Sequence, residues 1–135
     1  MSLSPEFLKR VNELYRSFIK HDASQPDRLS RYRNIEPESA QYLAMLVRIQ
    51  QSKQILEIGT STGYSTLWLA DAAQVTSAKI TTVEIDPKRA AQASLFANEL
   101  AVDDVIDFQV VDALDFLKNT KQKFDFILLD AERDA

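Results

Sequence analysis

The sequence predicts an α/β fold: a mostly parallel, doubly wound sheet with helices leading into it. Three observations carry that reading. From residue 54 onward, short apolar, β-branched runs alternate with stretches of helical periodicity, a pattern that implies right-handed βαβ crossovers. The chain holds only two glycines, Gly59 and Gly63, and both follow the first of those runs. About nine or ten glycines are expected at ordinary usage, so these two mark a tight bend or a close approach. Acidic residues also stand at successive strand ends: Glu57, Glu84, Asp112 and Asp130.

Each element follows in order. Residues 5–20 carry Leu8, Val11, Tyr15 and Phe18 at helical spacing. His21 to Glu36 is polar, with Pro26 and the basic Arg28, Arg31 and Arg33, and reads as a solvated connector. Residues 1–36 thus form an N-terminal helix and connector, and 37–135 the sheet domain. A second helix opens at Pro37, which suits a first turn that needs no backbone donor, and presents Ala40, Leu43, Val47 and Ile49. Ile55 to Ile58 is the first strand, and the helix after Gly63 carries Leu67, Trp68, Ala70 and Ala73. Ile80 to Ile85 is the second strand. Asp86-Pro87 then reads as an N-cap and first-turn proline before a helix with Ala93, Phe96 and Leu100 inward. Val105 to Val111, Ala113 to Lys118 and Phe124 to Leu129 complete the pattern as strand, short helix and strand.

The unbroken apolar run Phe126 to Leu129 predicts a strand buried on both faces. So little sequence follows it that this surface is expected to be covered by the rest of a larger fold, or by a partner or second copy. A homodimer is one such expectation.

Composition narrows the function. Acidic side chains outnumber basic ones by 20 to 16, for a formal charge of −4. That argues against a nucleic-acid partner, whose phosphates need clustered Lys and Arg. Cysteine is absent, which excludes thiolate chemistry, and a single histidine, His21, leaves little room for His-rich metal ligation or a serine–histidine triad. No apolar run approaches a membrane span, and the first residues lack a secretory layout. A cytoplasmic domain is the expectation.

In doubly wound sheets, ligands bind beyond the carboxyl ends of the strands. The bend Glu57-Ile58-Gly59-Thr60-Ser61-Thr62-Gly63-Tyr64-Ser65 lets a backbone approach a ligand and offers free helix N–H groups to an anion. Ser61 stands where the dinucleotide fingerprint has its middle glycine, which weakens a nicotinamide-dependent oxidoreductase reading. Ser65 adds a hydroxyl suited to a carboxylate. Glu84 is placed to accept hydrogen bonds from a ribose diol, and Asp112 lies where an adenine amino group is expected. The plainer reading is that these acids cap helices and turns. Trp68 reads as packing, and Tyr64 as either packing or a ligand contact.

Four strings then resemble the class I S-adenosylmethionine-dependent O-methyltransferases, in the branch of catechol and caffeoyl-CoA O-methyltransferases and their bacterial relatives. They are residues 57–65, Ile-Thr-Thr-Val-Glu-Ile-Asp-Pro at 80–87, Val-Val-Asp-Ala at 110–113 and Phe-Asp-Phe-Ile-Leu-Leu-Asp-Ala at 124–131. The lead-in at residues 35–43 is similar too. The resemblance implies a Rossmann-like class I methyltransferase sheet, of which this chain holds about the first four strands. It implies a cofactor site drawn from Glu57, Gly59, Ser61, Gly63, Tyr64, Ser65, Glu84, Ile85, Asp112, Ala113 and Asp130. Within it, Gly59 and Gly63 would line the methionine portion, Ser65 would hold its carboxylate, Glu84 the ribose and Asp112 the adenine edge. Asp130 matches the first ligand of a divalent metal, Mg²⁺ or Ca²⁺, which favours hard oxygens.

Two departures accompany it. The family's other metal ligands, after a fifth strand, have no counterpart, and Arg133 stands where the catechol branch has a lysine general base. A guanidinium stays protonated and cannot be that base; it would orient an anionic substrate or be a surface charge. The expected activity is methyl transfer to a hydroxyl of a small aromatic substrate. The alternative is a non-catalytic cofactor-binding or assembly module.

Overall fold

The computed structural model describes residues 4–24 and 36–129. Two helices, α1 (Pro5–Ser24) and α2 (Pro37–Gln50), precede β1 (Gln54–Ile58), α3 (Tyr64–Thr76), β2 (Lys79–Glu84), α4 (Pro87–Glu99), β3 (Ile106–Val110), α5 (Ala113–Asn119) and β4 (Phe126–Leu129). A 3-10 turn, Asp103–Val105, leads into β3. The strands form one sheet of order β3-β2-β1-β4, with every pairing parallel. The chain therefore steps outward from β1 to β3 and then crosses to the other side of β1. That reversal is the topological switch point of a doubly wound sheet, and it adjoins the Gly59 bend.

The local signals act as expected. Pro37 and Pro87 occupy first helical turns, and Asp86 caps α4 by accepting from the Lys88 N–H at 2.9 Å. At the opposite end of β1, Asp125 accepts from the N–H groups of Lys53 (2.8 Å) and Gln54 (3.0 Å). This carboxylate holds the start of β1 against the segment entering β4.

Helices α3 and α4 cover one sheet face and α5 the other. The main core joins Ile55 and Ile80 of the sheet to Leu67, Trp68 and Leu69 of α3, Val47 of α2, and Phe7, Val11, Leu14 and Phe18 of α1. Helix α1 belongs to this same core: Phe7 meets Trp68 edge-on at 5.5 Å, and Phe18 meets Phe96 at 6.0 Å. The expected stripe on α1 is turned by part of a turn, so Leu8 and Tyr15 lie at its border, only partly buried. On α2, Ile49 points outward and Ala44 is buried in its place. His21 lies in the last turn of α1, half-buried beside Asp22, rather than in a solvated connector. The basic residues Arg28, Arg31 and Arg33 lie outside the described residues.

The second face is thinner. Leu56, Ile58 and Val83 pack there with Val111, Ala113, Phe116 and Phe124. On β4, Phe126 and Leu128 pack against the main core, while Ile127 and Leu129 are 58% and 62% exposed; this is the face expected to be covered by the rest of a larger fold, a partner or a second copy. One face of β4 lies on the main core, and among the described residues the other face is left open.

Candidate functional site

The carboxyl ends of β1, β2 and β3 lie side by side. The Gly59 N–H donates to the Val83 carbonyl at 2.8 Å, and the Val111 N–H to the Glu84 carbonyl at 3.2 Å. Gly59, Glu84 and Asp112 therefore follow neighbouring strands on one rim, with Glu84 in the middle. The bend after β1 is built from alternating left-handed residues: Gly59 at φ 97°, Ser61 at φ 52° and Gly63 at φ 92°. A β-carbon added at Gly63 would sit 2.7 Å from the Ala93 side chain. Gly63 is thus required by the close approach of α3 to α4 as well as by its backbone angle.

The four acids predicted for the rim divide by environment. Glu57 is 0% exposed, and a buried carboxylate needs hydrogen-bond donors. It has them: the Ser65 hydroxyl donates to Oε2 at 2.5 Å, the Thr82 hydroxyl to Oε1 at 2.7 Å, and the Thr66 hydroxyl also to Oε1. Thr60 and Thr82 share a further hydroxyl bond of 2.6 Å. Glu57 thereby ties β1, β2 and the first turn of α3 together beneath the bend.

Glu84 is buried to 9% exposure, and both of its oxygens are engaged by backbone. Oε1 accepts from the Ser61 N–H at 2.7 Å and Oε2 from the Asp86 N–H at 3.0 Å. A carboxylate offers about four lone-pair positions, so each oxygen keeps capacity for one hydroxyl. Asp112 is exposed and caps α5, accepting from the N–H groups of Leu114 (2.9 Å) and Asp115 (3.4 Å) through Oδ1. The plainer capping role is thus present at Asp86 and Asp112. Asp130 and Arg133 lie outside the described residues.

Ser65 is buried in the first turn of α3, whose leading N–H groups have no intrahelical acceptors. Tyr64 faces the α1 side, its ring 5.1 Å from that of Tyr15. Burial pushes its phenol above the ordinary value near 10, and the nearby Trp68 indole pulls the other way. The Tyr64 hydroxyl and the Trp68 Nε1 reach no hydrogen-bond partner among the described residues. Both rings are buried in the main core. At the edge of the rim, Ile85 is exposed and Ala113 partly buried.

Sequence reasoning missed the threonine cluster and the left-handed Ser61. A signal for the first was present: a glutamate within the apolar run Ile55 to Ile58 requires partners, and Thr82 lies opposite it in the register between β1 and β2.

Comparison with known proteins decides the family. A model of the O-methyltransferase family, described as "O-methyltransferase", matches residues 5–135. The chain belongs to the O-methyltransferase family. Catechol O-methyltransferases of Niastella koreensis and Mycobacterium tuberculosis are 32% and 31% identical to it, over 74% and 84% of this chain and 47% and 50% of theirs. The O-methyltransferase TomG of Streptomyces achromogenes, solved with S-adenosylmethionine, superposes with TM-score 0.73 at 28% identity over 97% of this chain and 56% of that one. The O-methyltransferase of Bacillus cereus, solved with S-adenosylhomocysteine, gives TM-score 0.71 at 29% identity over 95% and 55%. This chain spans about half the length of the curated relatives it matches.

As an O-methyltransferase-family chain, it carries the class I sheet through β4. Among the described residues no three His, Asp or Glu side chains gather as a metal site, and no helix is long and apolar enough to cross a membrane. The described residues alone do not build a cation site.

Proposed function

We propose that this chain is the cofactor-binding front of an O-methyltransferase that methylates a hydroxyl of a small aromatic substrate, with S-adenosylmethionine as donor. The carrying observation is Glu84. Its carboxylate is fixed by two backbone N–H groups between the glycine bend and Asp112, with one lone pair per oxygen left to face a ribose diol.

The donor set fits the group. Glu84 would accept from the two ribose hydroxyls. The leading N–H groups of α3 would take the carboxylate of the methionine tail, where a helix start favours an anion; the Ser65 hydroxyl, expected to hold it, instead donates its one proton to Glu57 Oε2. Asp112, with Oδ1 occupied by its cap, would offer Oδ2 to the adenine amino group, between the exposed Ile85 and Ala113. Gly59 and Gly63 give the bend its close backbone approach, over the floor built by Glu57. When bound, the cofactor supplies a methyl group on a sulfonium, which passes to the acceptor oxygen as that oxygen gives up its proton. Holding the donor in one geometry is this chain's share of the rate, since orientation alone supplies several kcal/mol of a barrier. A divalent cation at Asp130, an aromatic acceptor and a cytoplasmic setting belong to the same proposal and rest on the family resemblance.

Calorimetric titration tests it. S-adenosylhomocysteine should bind at one site, and Glu84→Ala should weaken it about tenfold, roughly 1.4 kcal/mol. No binding to the folded chain would refute the reading.

The exposed Ile127 and Leu129 favour a second reading, a non-catalytic module that binds cofactor and associates through β4, as a homodimer or with another chain. Methyl transfer from labelled cofactor to a catechol, assayed with and without Mg²⁺, separates the two. Turnover supports the enzyme, and binding without turnover, together with sedimentation as a dimer, supports the module.

A further inference from the structure

We propose that Glu84 acts as a clamp on the glycine bend, so that part of its contribution to cofactor affinity never passes through the ribose. The inference deepens the proposed function and rests on it. Three observations converge. Ser61 lies at φ 52°, a region L side chains rarely adopt, in a bend whose other left-handed positions are both glycine. Its N–H donates to Glu84 Oε1 at 2.7 Å, a charge-assisted bond from a half-buried amide to a buried carboxylate. The second oxygen, Oε2, accepts from the Asp86 N–H at 3.0 Å, and Asp86 in turn caps α4.

One carboxylate therefore straddles two loops, the bend that would meet the methionine tail and the junction beside the ribose. Its negative charge holds Ser61 in an otherwise unfavourable conformation before any ligand arrives. A ligand that meets a preformed bend spends less of its binding energy on ordering it. Glu84 is a positioning residue for the tail as well as a group facing the sugar.

Amide hydrogen exchange on the unliganded chain and two titrations test this. In Glu84→Ala, exchange at Gly59 to Thr62 should accelerate tenfold or more, while amides in the middle of α3, such as Leu69 and Ala70, change less than twofold. The same variant should bind the 2′,3′-dideoxy counterpart of S-adenosylhomocysteine at least threefold more weakly than the unaltered chain does, although that ligand has no hydroxyls for Glu84 to meet. Glu84→Gln retains one acceptor oxygen and should fall between; if Glu84→Ala does not fold, Glu84→Gln carries the same comparison. Unchanged exchange at Ser61, or equal affinity of both chains for the dideoxy ligand, overturns the clamp. If S-adenosylhomocysteine fails to bind the unaltered chain while Ser61 exchange still depends on Glu84, the cofactor reading and the affinity part of the proposal fall together, and only the hold of Glu84 on Ser61 stands.

Discussion

The two halves of the rim are built differently from the same kind of residue. At the ends of β1 and β2, Glu57 and Glu84 are buried and committed to hydroxyl and amide donors drawn from several elements. At the end of β3, Asp112 is exposed and accepts only from its own helix among the described residues, from amides two and three residues away. The first half is a preformed scaffold: moving Glu57 would strand buried hydroxyl donors, and moving Glu84 would release two loop amides at once. The second is a local cap that can give way at modest cost. In this molecule an acid's partners, more than its place at a strand end, decide how much structure depends on it.

The largest break in that contrast comes from Glu57→Ala. Three buried hydroxyls lose their common acceptor, and an unsatisfied buried donor costs about 1–3 kcal/mol. A loss of about 3 kcal/mol or more is expected in urea unfolding, and a loss below about 1 kcal/mol would show that the hydroxyls re-pair among themselves. Gly63→Ala comes next. The new methyl would collide with Ala93 and the backbone would stay left-handed, so overpacking and strain together should cost about 2–3 kcal/mol. Ala93→Gly in the same chain should recover the collision portion and leave the backbone portion. A smaller effect is expected at Asp112→Ala, where a lost N-cap costs about 1 kcal/mol. Cofactor affinity should fall less there than in Glu84→Ala, as read by calorimetry; an equal fall would erase the difference between the halves.

Much of this was legible in the chain itself. The alternation of strands and helices, Pro37 and Asp86-Pro87 as helix starts, and the pairing of Gly59 with Gly63 each follow from local chemistry, and the structure bears them out. What escaped depends on neighbours distant in sequence. The rotation of the α1 stripe toward Phe7 and Leu14 is set by Trp68 and by the other helices of the core. That β4 pairs with β1 and not with β3 is likewise set by the crossover through α5, which an apolar run does not encode. Gly63 reads from sequence as a tight bend or a close approach, but that the Ala93 side chain, thirty positions later, also excludes a β-carbon there was not visible in the chain. Glu57 was visible as a rim acid, whereas its threonine partners required the β1–β2 register.

The most direct test of the account is where a ligand perturbs the backbone. Titration of isotope-labelled chain with S-adenosylhomocysteine, followed by amide shifts, should move Gly59 to Ser65 and Glu84 to Asp86 most, with smaller changes at Asp112 and Ala113. Shifts centred instead on the opposite edge of the sheet, around Ser77 to Lys79, or no saturable shift at all, would contradict it.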